Sequence, residues 1–227
     1  MLKQDQKGNT LIIVLIVLLL VTIIGAIAVR SSILGLSLAT SNQINNLLMQ
    51  NNDAVMFELK DVAKVSNNLA PNQIYGYFNQ QANAQDELTF CYRADRAQFF
   101  SLTDASVTGS TKLGVNGYCR RDWFASGRSA LLTQVYLRKV PDTGGLTSLT
   151  LGSSVGATLV AGVAPRTMSA TVISVLPAFS SATNDQIQSC FRRSNSETVQ
   201  DCFAALNVPF NVQSAQFIVS GEPKRAS

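Results

Sequence analysis

The chain has 227 residues, 46% of them hydrophobic and 14% charged, with a formal net charge of +4 and no histidine. That composition is enough for one ordinary core. The missing histidine excludes a Ser-His-Asp or Cys-His nucleophile system, a histidine general base and every His-containing metal site, and the modest charge requires no nucleic-acid partner.

The apolar residues are unevenly placed. Thr10 to Val29 is a run of twenty uncharged residues, seventeen of them Ala, Val, Ile or Leu. Every aromatic residue lies at Phe57 or later, every proline at Pro71 or later and every cysteine at Cys91 or later, so two different materials are joined end to end. At about 1.5 Å rise per residue the run makes roughly 30 Å of helix, the hydrocarbon thickness of a bilayer, and residues 10–29 are the expected transmembrane segment. Lys3 and Lys7 precede it and only Arg30 follows within the next twenty residues. This bias puts the N-terminus in the cytoplasm and the rest of the chain outside it, where cysteines can pair. A secretory signal peptide is the competing reading, because Ala26-Ile27-Ala28 has the small-x-small form of a cleavage site, although the run exceeds a usual apolar signal region of about 7 to 15 residues.

No proline or turn cluster interrupts the chain before Ser66-Asn67-Asn68, so one helix is expected over residues 9–65, roughly 85 Å long at the same rise. Gly25 and Gly35 are its weak points. In its second half Ile44, Leu47, Leu48, Val55, Leu59 and Val62 recur at helical spacings with Asp53, Lys60, Asp61 and Lys64 on other faces, an amphipathic stripe that a soluble domain can cover. The first half is apolar all round and must sit in lipid or among other apolar helices.

At Lys7-Gly8-Asn9-Thr10-Leu11-Ile12-Ile13-Val14-Leu15 the chain resembles the start of a type IV prepilin, closest to the PilX-like minor pilins: a short basic leader ending in glycine, then an unbroken apolar helix. The resemblance covers about the first sixty residues. It implies that a prepilin peptidase cuts between Gly8 and Asn9, removing residues 1–8, and that the new amino group of Asn9 is a methylation site. It further implies an α+β fold, in which the long N-terminal helix packs on a mainly antiparallel β-sheet head at residues 66–227. Two positions depart from the commonest pilin pattern. Asn9 stands where most pilins have phenylalanine, and Ile13 where most have a glutamate that faces the amino terminus of the preceding subunit. A subunit with nothing ahead of it has no such charge to neutralise, and an uncharged residue there spares a lone buried carboxylate. By analogy with minor pseudopilins that also lack the glutamate, Ile13 marks a tip position.

In the head, strands are expected at Glu87 to Arg93, Ala97 to Leu102, Leu131 to Val140, Met168 to Leu176 and Ala215 to Ser220. A turn at Pro141-Asp142-Thr143-Gly144-Gly145 would lead into a hairpin strand at Leu146 to Leu151. Thr183-x-x-Gln186 and Ser194-x-x-Glu197 have capping-box form ahead of two short helices. Cys91, Cys119, Cys190 and Cys202 allow three pairings, among which the sequence does not choose. The local pairing, Cys91 with Cys119 and Cys190 with Cys202, is the expectation, and its second bridge resembles the disulfide-bounded region of pilin heads. With no CxxC pair and no histidine, no metal and no cofactor is expected.

Between Asp142 and Asp185 the only charged residue is Arg166, and Thr143 to Ala164 reads either as an exposed loop or as an edge that another subunit covers. Arg93, Arg96, Arg120, Arg121, Arg138, Lys139, Arg192 and Arg193 lie near Tyr92, Tyr118, Trp123 and Phe191 in sequence, a composition able to bind single-stranded nucleic acid. The interleaved Asp95, Asp122 and Asp201 favour local ion pairs over direct DNA contact. Asp86-Glu87, the only adjacent acidic pair, is better explained by a turn before a strand than by acid–base work, so no enzyme is expected. The expected function is that of a minor pilin in an initiation or tip complex. Its partners would be other minor pilins, the major pilin, the prepilin peptidase and the inner-membrane assembly platform, and it would reside in the inner membrane before entering the fibre. An anchored or secreted periplasmic binding or enzymatic domain is the alternative.

Overall fold

Helix formation along the first quarter of the chain follows from an absence of breakers. In a computed structural model, which describes residues 9–93, 95–125, 131–141 and 166–219, a helix α1 runs from Asn9 to Lys60. It ends five residues short of the expected Val65 without a proline or glycine. Asp61 adopts an extended ψ of 106°, and its carboxylate accepts the backbone N–H of Ala63 at 3.0 Å, so a side chain takes the place of the next helical bond. A 3-10 turn at Val62–Lys64 and a single helical turn α2 at Val65–Asn68 follow. The chain divides into two units, Met1–Ile44 and Asn45–Ser227.

The second unit contains a five-stranded antiparallel sheet in the order β2-β1-β3-β4-β5. Its strands are β1 (Glu87–Tyr92), β2 (Ala105–Val107), β3 (Leu132–Lys139), β4 (Arg166–Val175) and β5 (Phe210–Val219). The fold is therefore α+β, with a long N-terminal helix and a C-terminal antiparallel sheet. Three strands lie where the sequence places them to within two residues. The expected strand at Ala97 to Leu102 is instead irregular chain ending in a 3-10 turn at Leu102–Asp104. Its apolar character has another cause: Phe99 and Phe100 pack edge-on against Phe90 at 5.5 and 5.2 Å. Strand β2, only three residues long, was not expected, and β5 starts five residues before the expected Ala215. The hairpin strand at Leu146 to Leu151 and the stretch Thr143 to Ala164 lie outside the described residues.

Period-two alternation sends side chains to both faces of the sheet, and both are covered. On one face Leu88, Phe90, Val135, Leu137, Met168, Ala170 and Val172 pack with Val55, Met56 and Leu59 of α1 and with Leu69, Ile74, Tyr75 and Phe78. On the other, Leu132, Tyr136, Ile173 and Val175 meet two short helices, α3 (Asn184–Phe191) and α4 (Ser196–Ala205). The first helix has the expected capping box between Thr183 and Gln186. The second is capped one residue later than expected, by Asn195 with Thr198.

The buried stripe of α1 contains a polar residue that the sequence reading passed over. Leu48, Val55 and Leu59 are buried as expected, whereas Leu47 is exposed and Val62 lies beyond the helix, 84% exposed. Asn52, fully buried, fills the gap between Leu48 and Val55. Thr133, Ser174 and Asn211 are successive partners across β3, β4 and β5, and they form a polar row on the face that α1 covers. Asn52 Nδ2 donates to the backbone oxygen and Oδ1 of Asn211 at 3.1 and 3.0 Å, and Ser174 Oγ donates to Asn52 Oδ1 at 2.5 Å. Ser174 has one proton, so in its 2.7 Å contact with Thr133 the threonine must donate. Asn51 Nδ2 donates to both hydroxyls, to Ser174 at 2.9 Å. Gln213 Nε2 to Asp53 at 2.8 Å and Asn211 Nδ2 to Asn45 at 3.3 Å extend the row toward solvent.

Asn52→Ala should leave the buried Ser174 hydroxyl without its acceptor, remove both contacts to Asn211, and lower stability by about 2–4 kcal/mol. Asn45→Ala, at the exposed end of the row, should change it by less than about 0.5 kcal/mol. Urea unfolding of the two variants followed by circular dichroism checks the difference.

Candidate functional site

The first unit carries the strongest chemical statement in the chain. From residue 11 to residue 33 every side chain of α1 is exposed, including Ile13 at 55%, Leu20 at 52% and Ile24 at 65%. Polar side chains in and just beyond this stretch turn back on the helix. Thr22 Oγ1 donates to the Leu19 carbonyl at 2.8 Å, Ser32 Oγ to Ala28 at 3.0 Å and Thr40 Oγ1 to Leu36 at 2.9 Å. Hydroxyls satisfied in this way remove the main penalty of placing threonine and serine in an apolar medium. An alanine-sized side chain at Gly25 or Gly35 would meet nothing within 4 Å among the described residues. Arg30 is the single charge between Asn9 and Asp53. Among the described residues this is the one helix long and apolar enough to cross a membrane.

Asn9 is the first helical residue, Ile13 lies one turn later on the exposed helix, and Gly8 is outside the described residues. The two carriers of the expected assembly function thus share the N-terminal end of α1, remote in sequence from the cysteines.

Those cysteines form two bridges. Cys91 on β1 joins Cys119, with Cα atoms 4.8 Å apart, and Cys190 on α3 joins Cys202 on α4 at 5.5 Å. Gln134, fully buried on β3 beside Cys91, positions both. Its Oε1 accepts the Cys119 backbone N–H at 2.9 Å, and its Nε2 donates to the Phe191 carbonyl at 2.9 Å and to Tyr136. Gly117 brings the loop in: a Cβ there would stand 2.3 Å from both Thr89 O and Ser106 N, so only glycine permits the approach. Nothing in the sequence singled out Gln134, because one glutamine in a strand that also carries Thr133, Arg138 and Lys139 has no pattern of its own.

The basic residues resolve into separate local arrangements. Arg93 donates to both carboxylate oxygens of Asp95 at 2.9 and 2.6 Å, and Arg96 lies 3.3 Å from Asp104. The hydrogen bond to Asp95 raises the Arg93 pKa, and the same bond holds the Asp95 carboxyl below its usual range. Arg93 and Arg120 both stack on Trp123, 4.6 and 4.7 Å from the ring centroid. Beside them a cavity of about 420 Å³ is lined by Phe90, Arg96, Phe99, Phe100 and Trp123.

Asp86 of the acidic pair is bound structurally: it accepts Lys112 Nζ at 2.9 and 3.0 Å and the Tyr77 hydroxyl at 2.6 Å. Glu87 instead faces a polar cleft of about 580 Å³ with Arg138, Thr171, Glu197, Gln200 and Gln216. Burial raises its pKa, Arg138 opposes the shift and Glu197 adds to it. Among the described residues no three Cys, Asp or Glu side chains converge as a metal site would require.

Comparison with known protein families, with characterised proteins and with solved structures finds no match for this chain.

The α3–α4 bridge closes a short loop that carries Phe191 and Phe203, packed at 4.9 Å in the outer core. Replacing Cys190 and Cys202 together with serine should lower stability by about 2–4 kcal/mol, read by urea unfolding under non-reducing conditions. An unchanged midpoint would show that the bridge constrains nothing.

Proposed function

We propose that this chain is a minor pilin of a type IV pilus, a structural subunit of the initiation or tip complex that primes pilus assembly. The observation that carries the reading is the division of labour along α1. Residues 11–29 are exposed, uncharged and almost entirely aliphatic, with the Thr22 hydroxyl bonded back to the helix, while Asn45–Lys60 of the same helix is packed on a disulfide-stapled antiparallel sheet. A simple membrane tether needs about twenty apolar residues and a flexible stalk. A helix continuous from the apolar run into the fold suits a subunit that leaves the bilayer with the run still attached and packs it among the helices of its neighbours. Lys7-Gly8-Asn9 supports removal of the leader by a prepilin peptidase, and the charge bias around the run supports insertion in the inner membrane with the N-terminus in the cytoplasm. The assembly platform, the major pilin and other minor pilins are the partners this implies.

The absence of a carboxylate at Ile13 supports a position with no subunit ahead. A glutamate among packed apolar helices requires a facing amino terminus, and without one it stays protonated or disrupts the packing.

A second reading, an anchored periplasmic binding domain, is favoured by one observation, the polar cleft around Glu87. In a pilus subunit that cleft has no necessary role.

Cells lacking this chain should lose most surface pili. The wild-type chain should restore them, whereas Ile13→Glu should not, although it is membrane-inserted and processed normally. Normal pilus counts without the chain would overturn the assembly role, and full restoration by Ile13→Glu would overturn the tip position alone.

A further inference from the structure

Strand β2 closes one edge of the sheet with three residues. Strand β5 forms the other with ten, Phe210–Val219, and has no charged residue, proline, glycine or bulge. Natural proteins protect long edges with such devices or with a covering element, because a free row of N–H and C=O groups is a template for another strand.

The register shows which groups are free. Leu176 N–H donates to the Pro209 carbonyl at 3.0 Å, one step beyond the pair Val175 and Phe210. Bonded and non-bonded pairs alternate in an antiparallel ladder, so the odd-numbered residues of β5 from Asn211 to Val219 turn their backbone groups toward β4. Val212, Ser214, Gln216 and Ile218 point theirs out of the sheet, and among the described residues no backbone group of another element bonds to them. The side chains of Ser214, Gln216 and Ile218 are exposed.

We propose that β5 is a self-pairing edge, on which a second copy of this chain docks antiparallel and joins the two five-stranded sheets edge to edge. The order of side chains selects the occupant. Identical antiparallel strands pair about a two-fold axis, and because the outward groups belong to even-numbered residues, even must face even. An axis at Ala215 sets Val212 against Ile218 and Ser214 against Gln216, aliphatic on aliphatic and hydroxyl on amide, each pair exchanging two backbone bonds. The same axis puts Ala215 against itself in a non-bonded pair, where Cα atoms approach to about 4.5 Å and a small side chain fits best. Moving the axis one residue, to Ser214, would set Val212 against Gln216. The strand is complementary to itself in one register, and its own copy is the partner that every cell making the chain supplies.

The charges near β5 leave this pairing open. Ser214 and Gln216 share the polar cleft with Glu87, Arg138 and Glu197, whose formal charges sum to one negative. Gln216, Ser169, Arg138 and Glu87 are successive partners across the sheet, so Arg138 stands two strands and Glu87 three strands in from β5. At the usual spacing that is about 10 and 14 Å, too far for a strand added outside β5 to desolvate them. Glu197 belongs to α4 and acts on Glu87 within the same cleft. On the opposite face the Asp53 carboxylate already accepts Gln213 Nε2. The contact lies within Asn45–Ser227 and sets no direction for residues 9–44.

Hydrogen exchange and the protein mass per micelle, measured on the full chain with uncharged detergent micelles in excess, test this at about 1 and about 100 μM protein. At the higher concentration the mass should be that of a dimer. Exchange at Val212, Ser214, Gln216 and Ile218 should slow about tenfold or more, while the amides bonded to β4 change little. Gln216→Pro removes one outward N–H at an edge position that tolerates proline, and should be monomeric at both concentrations with the β4-bonded amides still protected. Gln216→Lys, which sets two ammonium groups diagonally across the axis, should weaken dimerisation about tenfold or more. Monomer mass with fast exchange at about 100 μM would overturn the proposal and leave the edge to a different polypeptide. Slow exchange of the four amides in the monomer would overturn it too, because the chain then covers its own edge. A dimer whose four amides exchange as fast as in the monomer, or that both variants form as readily as the unaltered chain, would show that copies meet elsewhere and would equally overturn it.

Discussion

Burial of Leu48, Val55, Met56 and Leu59 holds α1 against the sheet but does not say where, because the hydrophobic effect is non-directional and an aliphatic stripe can slide or rotate at little loss. Asn51 and Asn52 remove that freedom. Their amides meet hydroxyls and a carbonyl on one row crossing three strands, and the hydroxyl protons can be assigned in only one way that satisfies every donor. A slip of α1 by one residue would bury several unsatisfied polar groups together, each costing on the order of 1–3 kcal/mol. The row thus sets the register of helix on sheet, as a single buried asparagine sets register in a coiled coil. The sheet that carries the Gln134-centred attachment of both bridges is referred to residues 45–60 of the helix through it.

That register matters because of what the same helix does earlier in the chain. Residues 11–33 find no cover among the described residues, so they require an apolar medium, whether lipid or other apolar helices. A helix that is free of proline and bonds the hydroxyls of Thr22 and Ser32 to its own backbone is suited to both media.

The sequence made the long helix, its apolar first half and most of the strands legible, because each has a strong period or composition of its own. Less legible were features decided by partners distant in the chain. Asn52 sits in a gap of the apolar stripe between Leu48 and Val55, where polarity alone suggests a solvent face. Its burial depends on Ser174 and Asn211, more than a hundred residues away. Strand β5 extends five residues before the expected Ala215, where Asn211, Gln213 and Ser214 break the apolar alternation. Two of these side chains face α1 and are bonded to it. The aromatic pair Phe99 and Phe100 erred the other way, giving strand-like composition to chain that only lies over β1. Asp61 ended the helix through a side-chain bond that no breaker residue announced. For the candidate site, the apolar run and the cysteines were visible at once, whereas the choice among cysteine pairings needed the positions of β1, α3 and α4.

The central claim is that the apolar half of α1 stays attached to the sheet throughout the protein's working life, and that only the residues before it are removed. The intact mass of the chain extracted from membranes of the cells that make it tests this most directly. A chain that begins at Asn9, with or without one methyl group on its amino terminus, is the expected result. A chain that begins at Val29, after the Ala26-Ile27-Ala28 site, would mean that the apolar run is a discarded signal, and would contradict it.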